Sequence, residues 1–110
     1  MEGQMSIFDF MEPKTDELES LTTADMARFI GDSLQVDFKP TGWEDEHEAR
    51  VKKLKLSVHK EYYLCDTRNR KKGDAFIGVG YSFNTEGGGS PADSIDEAIR
   101  WFRKRIERYA

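Results

Sequence analysis

The sequence predicts an α+β fold: a helix, a two- or three-stranded antiparallel sheet, and a C-terminal amphipathic helix packed on that sheet. Two segments with a helical apolar period, residues 22–34 and 95–109, flank a region in which apolar and polar residues alternate. Strands that follow one another through short connections pair antiparallel, and helices before and after them can cover the apolar face of their sheet.

The first predicted helix begins at Thr22 or Thr23. Asp25 lies three residues after Thr22, which is close to the capping-box pattern. The apolar positions that follow have helical spacing and are Met26, Phe29, Ile30 and Leu34. An amphipathic helix of about three turns is therefore expected, and Gly31 weakens its end.

The region ARVKKLKLSVHK predicts a half-buried strand, because Leu54, Leu56 and Val58 alternate with polar side chains. The alternation continues through YYLCD. A tight turn near residues 59–61 would divide the region into two strands, and one long strand is the alternative. The polar segment TRNRKKGD then predicts a hairpin loop.

The segment AFIGVGYSF predicts a further strand with one large face and one small face. The large face consists of Ile77, Val79, Tyr81 and Phe83, and the small face consists of Gly78, Gly80 and Ser82. A glycine-rich face indicates the close approach of another backbone or of a packed helix.

The last predicted helix follows the segment NTEGGGSP, which is expected to be a loop. Ser90 is the predicted N-cap, with Pro91 at the first helical position and Asp93 as an early acid. The apolar stripe beyond it consists of Ile95, Ala98, Ile99, Phe102, Ile106 and Tyr109. Cations crowd the C-terminal end of this helix, where they interact favourably with its dipole.

Composition limits the protein to one small domain. A chain of 110 residues with 37% hydrophobic residues can build one modest core. The acidic stretch before residue 22 predicts a disordered tail and linker over residues 1–21, followed by an α+β domain over residues 22–110. The chain has one cysteine, no apolar run of about 18 residues and no secretory signal, which predicts a cytoplasmic protein without a membrane span.

The peptide Gln4-Met5-Ser6-Ile7-Phe8 resembles the bacterial sliding-clamp-binding motif, a short linear motif that binds the β subunit of DNA polymerase III. That motif has the form Gln-Leu-Ser/Asp-Leu-Phe, and Met5 and Ile7 replace its leucines with residues of similar size and apolarity. The resemblance implies an extended peptide in a hydrophobic groove of the clamp. Gln4 would form hydrogen bonds in the first subsite, and Ile7 and Phe8 would fill the deep apolar pocket.

Gln4, Ile7 and Phe10 also match most of the eukaryotic and archaeal clamp-interacting box, but Met11 does not supply its second aromatic residue. The bacterial pattern fits better. The predicted partner-binding residues are Gln4, Met5, Ser6, Ile7, Phe8 and Phe10. Neighbouring exposed apolar side chains reduce solubility unless they have a partner, so the alternative is that this peptide packs onto the protein's own sheet.

Charge is distributed unevenly along the chain. Residues 1–48 carry 3 Lys/Arg against 13 Asp/Glu, a balance of −10, and residues 49–110 carry 14 against 8, a balance of +6. Such a split can mark a nucleic-acid-binding face, and the alternative is a charged strand edge that prevents aggregation. The candidate residues are Arg50, Lys53, Lys55, Arg68, Arg70, Lys71 and Lys72.

No constellation of residues predicts an enzyme. His59 and Cys65 could form a nucleophilic pair, but a lone cysteine is more often a small buried residue. The histidines and the cysteine lack the spacing of a metal site, and no cofactor is expected. The sequence therefore predicts a non-enzymatic adaptor that binds the sliding clamp, of a kind that would suit bacterial mobile elements. The alternatives are a nucleic-acid-binding module and a small domain whose tail packs on itself.

Overall fold

The computed structural model describes residues 18–43, 45–66 and 70–110. Within these ranges the chain forms two helices and one five-stranded antiparallel sheet, which places it in the α+β class. The helices are α1 (Thr23–Leu34) and α2 (Ile95–Tyr109), and the strands are β1 (Lys39–Pro40), β2 (His47–Val51), β3 (Leu54–Tyr62), β4 (Ala75–Phe83) and β5 (Glu86–Ala92). The strands lie in the sheet in chain order, so each pairs with the strand that follows it.

The capping box at the start of α1 is confirmed. The Thr22 hydroxyl accepts a hydrogen bond from the N–H of Asp25 at 3.1 Å, and the Asp25 carboxylate accepts one from the N–H of Thr22 at 3.2 Å. Hydrogen bonding to the Asp25 carboxylate by the Thr22 N–H, and secondly by the Thr22 side chain, holds the pKa of Asp25 below its ordinary value, because it stabilises the charged form. The helix ends at Gln35, whose left-handed backbone lets its N–H bond to the carbonyl oxygen of Gly31.

Of the two alternatives for this region, the turn near residues 59–61 is wrong, and the strand continues through these positions. The chain reverses at Lys52 and Lys53, between Val51 and its partner Leu54, and Lys52 has a φ of 58°. Such a turn is usually marked by Gly, Asn or Asp, none of which occurs here. β3 then continues without interruption until Tyr62.

The predicted antiparallel sheet is present but has five strands among the described residues instead of two or three, mainly because the glycine-rich segment forms β5. This strand pairs with β4 along its whole length, from Glu86 opposite Phe83 to Ala92 opposite Ile77. Asn84, at a φ of 50°, lies in the short turn that joins the two strands. Glycines carry a weak strand preference, so the pairing with β4 overrides the local signal.

The start of α2 lies further along the chain than predicted. Its N-cap is Ser94, whose hydroxyl accepts a hydrogen bond from the N–H of Glu97 at 3.1 Å, whereas Ser90 and Pro91 belong to β5. The predicted apolar stripe is confirmed, with the first four of its positions buried and the last two half-buried.

Both helices pack on one face of the sheet. Its buried side chains on that face are Ala49, Leu54, Leu56, Val58, Ala75, Ile77, Val79 and Ala92. Phe102 from α2 is fully buried, with its ring centroid 5.8 Å from that of Phe38. α1 contributes Met26 and Ile30, whereas Phe29, which the sequence placed in the same stripe, is 41% exposed. Among the described residues, neither helix has the length and apolar composition that a bilayer span requires.

Leu18, the first described residue, is fully buried in the core, although the sequence assigned residues 18–21 to the linker. The Lys60 ammonium donates hydrogen bonds to the carbonyl oxygens of Glu19 at 2.7 Å and Leu21 at 2.9 Å. The Thr23 hydroxyl accepts a further bond from the N–H of Lys60 at 3.0 Å. These bonds place the first described residues directly beside β3.

Candidate functional site

The face of the sheet that points away from the helices carries a groove. Side chains alternate along β3 and β4, so the neighbours of the core residues point to this outer face. They include Ser57, His59, Glu61, Phe76, Gly78 and Gly80. Since α1 and α2 both pack on the opposite face, neither of them covers these residues.

The outer groove has a volume of about 490 Å³ and extends over β3, β4 and β5. Its floor is the main chain at Gly78, Gly80 and Gly89, and its walls are Ser57, His59, Glu61, Tyr63, Phe76 and Pro91. The volume falls within the range of roughly 300–1,000 Å³ that is typical of ligand sites. Because the groove is open along its length, an extended chain fits it better than an enclosed small molecule.

Gly78 and Gly80 have to be glycines, because side chains of β3 lie directly over them. A Cβ atom on Gly78 would lie 2.8 Å from Cε1 of His59, and one on Gly80 would lie 2.8 Å from Oγ of Ser57. The small face of β4 was expected to contact another backbone or a helix. It instead receives side chains from the neighbouring strand β3.

Two aromatic side chains in contact, Tyr63 and Phe76, form the wall at one end of the groove. The ring centroids of Tyr63 and Phe76 are 4.4 Å apart. The Tyr63 hydroxyl donates a hydrogen bond to Asp93 at 3.1 Å, and Asp93 also forms an ion pair with Arg70. The loop after β3 is thereby tied to the start of α2, so the aromatic wall is preorganised.

His59 lies against Glu61 in the wall of the groove, with its Nε2 in contact with the carboxylate. Its Nδ1 is buried and has no hydrogen-bond partner among the described residues. Cys65, the partner that the sequence suggested for a nucleophilic pair, is exposed in the loop after β3. In the described part of the chain, no group of three or more His, Cys, Asp and Glu residues is arranged to bind a metal ion.

The predicted basic residues are divided between the two ends of the sheet. Arg50 and Lys55 are register partners on the outer face, and Lys53 lies in the turn beside them. The second group, Arg70, Lys71 and Lys72, follows the far end of β3. A strand of nine residues separates the groups, which corresponds to about 30 Å. Arg68 lies outside the described residues.

Several of these cations already have acidic partners. Lys55 forms an ion pair with Glu48 at 3.8 Å, and Arg70 forms one with Asp93. Residues 18–110 as a whole carry 16 Lys/Arg and 16 Asp/Glu, whereas residues 1–17 carry one lysine and five acids. A domain without net charge lacks the excess of positive charge that is typical of nucleic-acid-binding proteins.

A second cluster of aromatic side chains lies where α2 crosses the end of β4. The rings of Tyr81 and Tyr109 stack at 5.2 Å, and the Arg105 guanidinium lies 4.1 Å from the ring centroid of Trp101. The hydrogen bond with Tyr109, together with burial, raises the pKa of Tyr81. The adjacent depression of about 420 Å³ is lined by residues of α2. Because Arg105 of α2 lies over the ring of Tyr81 in β4, the cluster fastens the helix to the sheet.

The predicted clamp-binding residues, Gln4, Met5, Ser6, Ile7, Phe8 and Phe10, lie outside the described residues. The first described residue, Leu18, is buried in the core. The segment that contains the peptide therefore joins the domain at this point.

Comparison with known proteins finds no matching family model, no similar curated protein and no similar solved structure.

The sequence reasoning missed the outer groove. The small residues of β4 gave a partial signal, but Gly89 and Pro91 were assigned to a loop and to a helix start. They could not then be placed beside Gly78 and Gly80. The register of β5, with Gly80 opposite Gly89 and Gly78 opposite Pro91, brings these residues together.

Proposed function

We propose that this protein is a non-enzymatic adaptor that binds a bacterial replication sliding clamp through residues 4–8. The observation that carries the proposal is the peptide Gln4-Met5-Ser6-Ile7-Phe8, a conservative variant of the clamp-binding motif that precedes a separate folded domain. A cytoplasmic accessory protein of a phage or another mobile element would have this organisation.

The composition of the core supports the proposal. Leu54, Leu56 and Val58 are fully buried by contacts within residues 18–110. The sheet face under the helices therefore does not need the apolar side chains of residues 5–8 to exclude water. A linear motif requires apolar side chains that the hydrophobic core does not use.

The energetics are consistent with a weak, reversible contact. Burial of Ile7 and Phe8 would contribute about 1.5–3 kcal/mol each before the cost of ordering the peptide. Micromolar affinity corresponds to about −8 kcal/mol. Met5 and the hydrogen bonds of Gln4 must supply the rest of this binding free energy. Loss of any one of these residues should therefore weaken binding.

Clamp binding would give the domain access to replicating DNA. A tethered domain experiences a high effective concentration near the DNA that the clamp encircles. The same contact would also occupy the groove to which other motif-bearing proteins bind, so the adaptor would compete with them.

The proposal is tested with a purified bacterial sliding clamp immobilised for a binding assay and the full chain as analyte. The double variant Gln4→Ala/Phe8→Ala is expected to lose at least tenfold in affinity. Phe29→Ala is the matched control, because Phe29 is an exposed phenyl group in α1 and outside the motif. Equal binding of wild type and double variant, or no binding by wild type, would contradict clamp recognition through this peptide.

Nucleic-acid binding is the second candidate function, and the adjacency of Arg50 and Lys55 on the outer face favours it. Single-stranded probes would bind with an affinity that falls as salt rises, by about 0.7 in logarithmic slope for each neutralised phosphate. Arg50→Ala/Lys55→Ala should reduce that slope by roughly 1.4. Absence of binding to both single- and double-stranded probes at low salt would exclude this function.

A further inference from the structure

We propose that residues 4–11 dock in the outer groove of their own domain, so that the groove and the sliding clamp compete for the same peptide. The docking stands independently of clamp binding, and only the competition rests on the proposed function. The inference follows from the position, the reach, the charge and the chemistry of the two segments.

The chain joins the domain at the edge of β3, on the helix-covered face of the sheet, because Leu18 is buried in the core. β2 pairs with β3 only as far as Val58, opposite His47. Beyond that pair, the main-chain N–H of Lys60 bonds to the Thr23 hydroxyl, and the Lys60 ammonium bonds to the carbonyl oxygens of Glu19 and Leu21. His59 and Glu61, the two neighbours of Lys60 along the strand, form the near wall of the groove.

The intervening chain is long enough to reach. Residues 11–17 span at most about 25 Å when extended. From Leu18 the chain must pass around the edge of β3 to the outer face, and the groove then crosses from β3 to β5, two strand spacings or about 10 Å. Residues 4–11 can therefore lie in the groove without any change in the described domain.

Charge favours this acidic peptide over a nucleic acid as the occupant. Residues 12–17 contain Glu12, Asp16 and Glu17 against Lys14. The basic residues Lys71 and Lys72 follow the end of β3 near which the chain joins the domain. A short acidic segment needs only this local attraction, whereas a polynucleotide would need the excess of positive charge that residues 18–110 lack.

The side chains match the shape of the groove. In an extended peptide Phe8 and Phe10 point to the same side. The groove volume of about 490 Å³, which lies beside the His59 and Ser57 side chains, can receive their rings, and the Tyr63–Phe76 pair offers an aromatic wall at one end. Phe8 is also the terminal anchor of the clamp motif, so the peptide cannot occupy the groove and the clamp together.

Tethering makes even weak docking effective. A short flexible linker gives an effective concentration of about 1 mM. A groove that binds the separate peptide with a Kd of about 1 mM would be half occupied, and one with about 0.1 mM would weaken clamp binding roughly tenfold. Docking with a Kd in this range therefore suffices to regulate access to the motif.

The docking is tested without the clamp, by comparing amide NMR spectra of the full chain with those of its Phe8→Ala/Phe10→Ala variant. The signals of Gly78, Gly80 and Gly89 should shift, while that of Gly31 in α1 should not. Superimposable spectra would overturn the docking. Glycine shifts that disappear on dilution would also overturn it, because they would show that a second copy supplies the peptide.

The competition is tested with Pro91→Glu, which places a carboxylate at an exposed position of the groove wall. Its affinity for the clamp should rise about two- to tenfold over wild type. Ala24→Glu adds the same charge at an exposed position of α1 and should leave clamp affinity unchanged. Equal affinity of Pro91→Glu and wild type would overturn the competition. If the wild type does not bind the clamp, the proposed function fails, and the glycine shifts alone decide the docking.

Discussion

Gly31 in α1 is a position where helix propensity and packing oppose each other. In an exposed helix interior, replacement of glycine by alanine stabilises the folded state by about 1 kcal/mol. Gly31 is buried near the end of the helix. A Cβ atom there would lie 2.6 Å from the carbonyl oxygen of Val36 and 3.4 Å from Cδ1 of Phe38. We therefore expect Gly31→Ala to destabilise the protein.

The magnitude follows from the contact with Val36. Real Cβ atoms essentially never approach another atom closer than 3.0 Å, so the segment after α1 must move by at least about 0.4 Å. It is held in place, because the N–H groups of Val36 and Gln35 both bond to the Gly31 carbonyl oxygen. Overpacking of this kind costs about 1–3 kcal/mol. After subtraction of the propensity gain, the net loss of stability is up to about 2 kcal/mol.

Thermal unfolding of the full chain, followed by circular dichroism, measures this loss. A domain of this size loses about 4–8 °C in Tm per kcal/mol, so Gly31→Ala should unfold below wild type, by up to about 16 °C. Ser33→Ala is the matched control: Ser33 is exposed in the same helix, and the change should stabilise by a few tenths of a kcal/mol, roughly. A Gly31→Ala variant that melts at or above the temperature of Ser33→Ala would refute the packing argument.

Three further predictions concern the core, the junction with β3 and the first helix cap. Phe102→Ala removes a fully buried ring and should cost about 3–5 kcal/mol of unfolding free energy; a loss below about 1 kcal/mol would be incompatible with its burial. Thr23→Val keeps the side-chain volume but leaves the N–H of Lys60 unpaired. The loss of this bond should cost about 1–3 kcal/mol of unfolding free energy and speed hydrogen exchange of the Lys60 amide. Unchanged exchange would argue against the bond. Because its lowered pKa belongs to the folded state, Asp25 stabilises the fold above the ordinary value of 3.8, and this contribution is lost as the pH falls through the lowered pKa. Urea unfolding of wild type and Asp25→Asn between neutral and acid pH should therefore converge at the acid end, and parallel curves would contradict the capping assignment.

The sequence predicted the helices well, because their signals are local. The capping box of Thr22 and Asp25 lies within four residues, and the apolar stripe of α2 repeats every turn. The alternation through Leu54, Leu56 and Val58 likewise identified the buried face of β3. Each of these patterns depends only on neighbours in the chain and on the geometry of a single element.

The remaining features depend on partners that are distant in sequence. The turn at Lys52 and Lys53 has no turn-forming residue, and its position is set by the pairing of β2 with β3. β5 is a strand because β4 lies beside it, and this pairing moves the N-cap of α2 from Ser90 to Ser94.

The two candidate sites divide in the same way. The clamp-like peptide of residues 4–8 was identified from the sequence by itself, because a linear motif is defined by the order of its side chains. The outer groove was decided only by the tertiary structure. Its floor combines Gly78 and Gly80 with Gly89, and its walls combine His59 with Pro91. No local pattern in the sequence encodes this proximity, because it results from the register of three hydrogen-bonded strands.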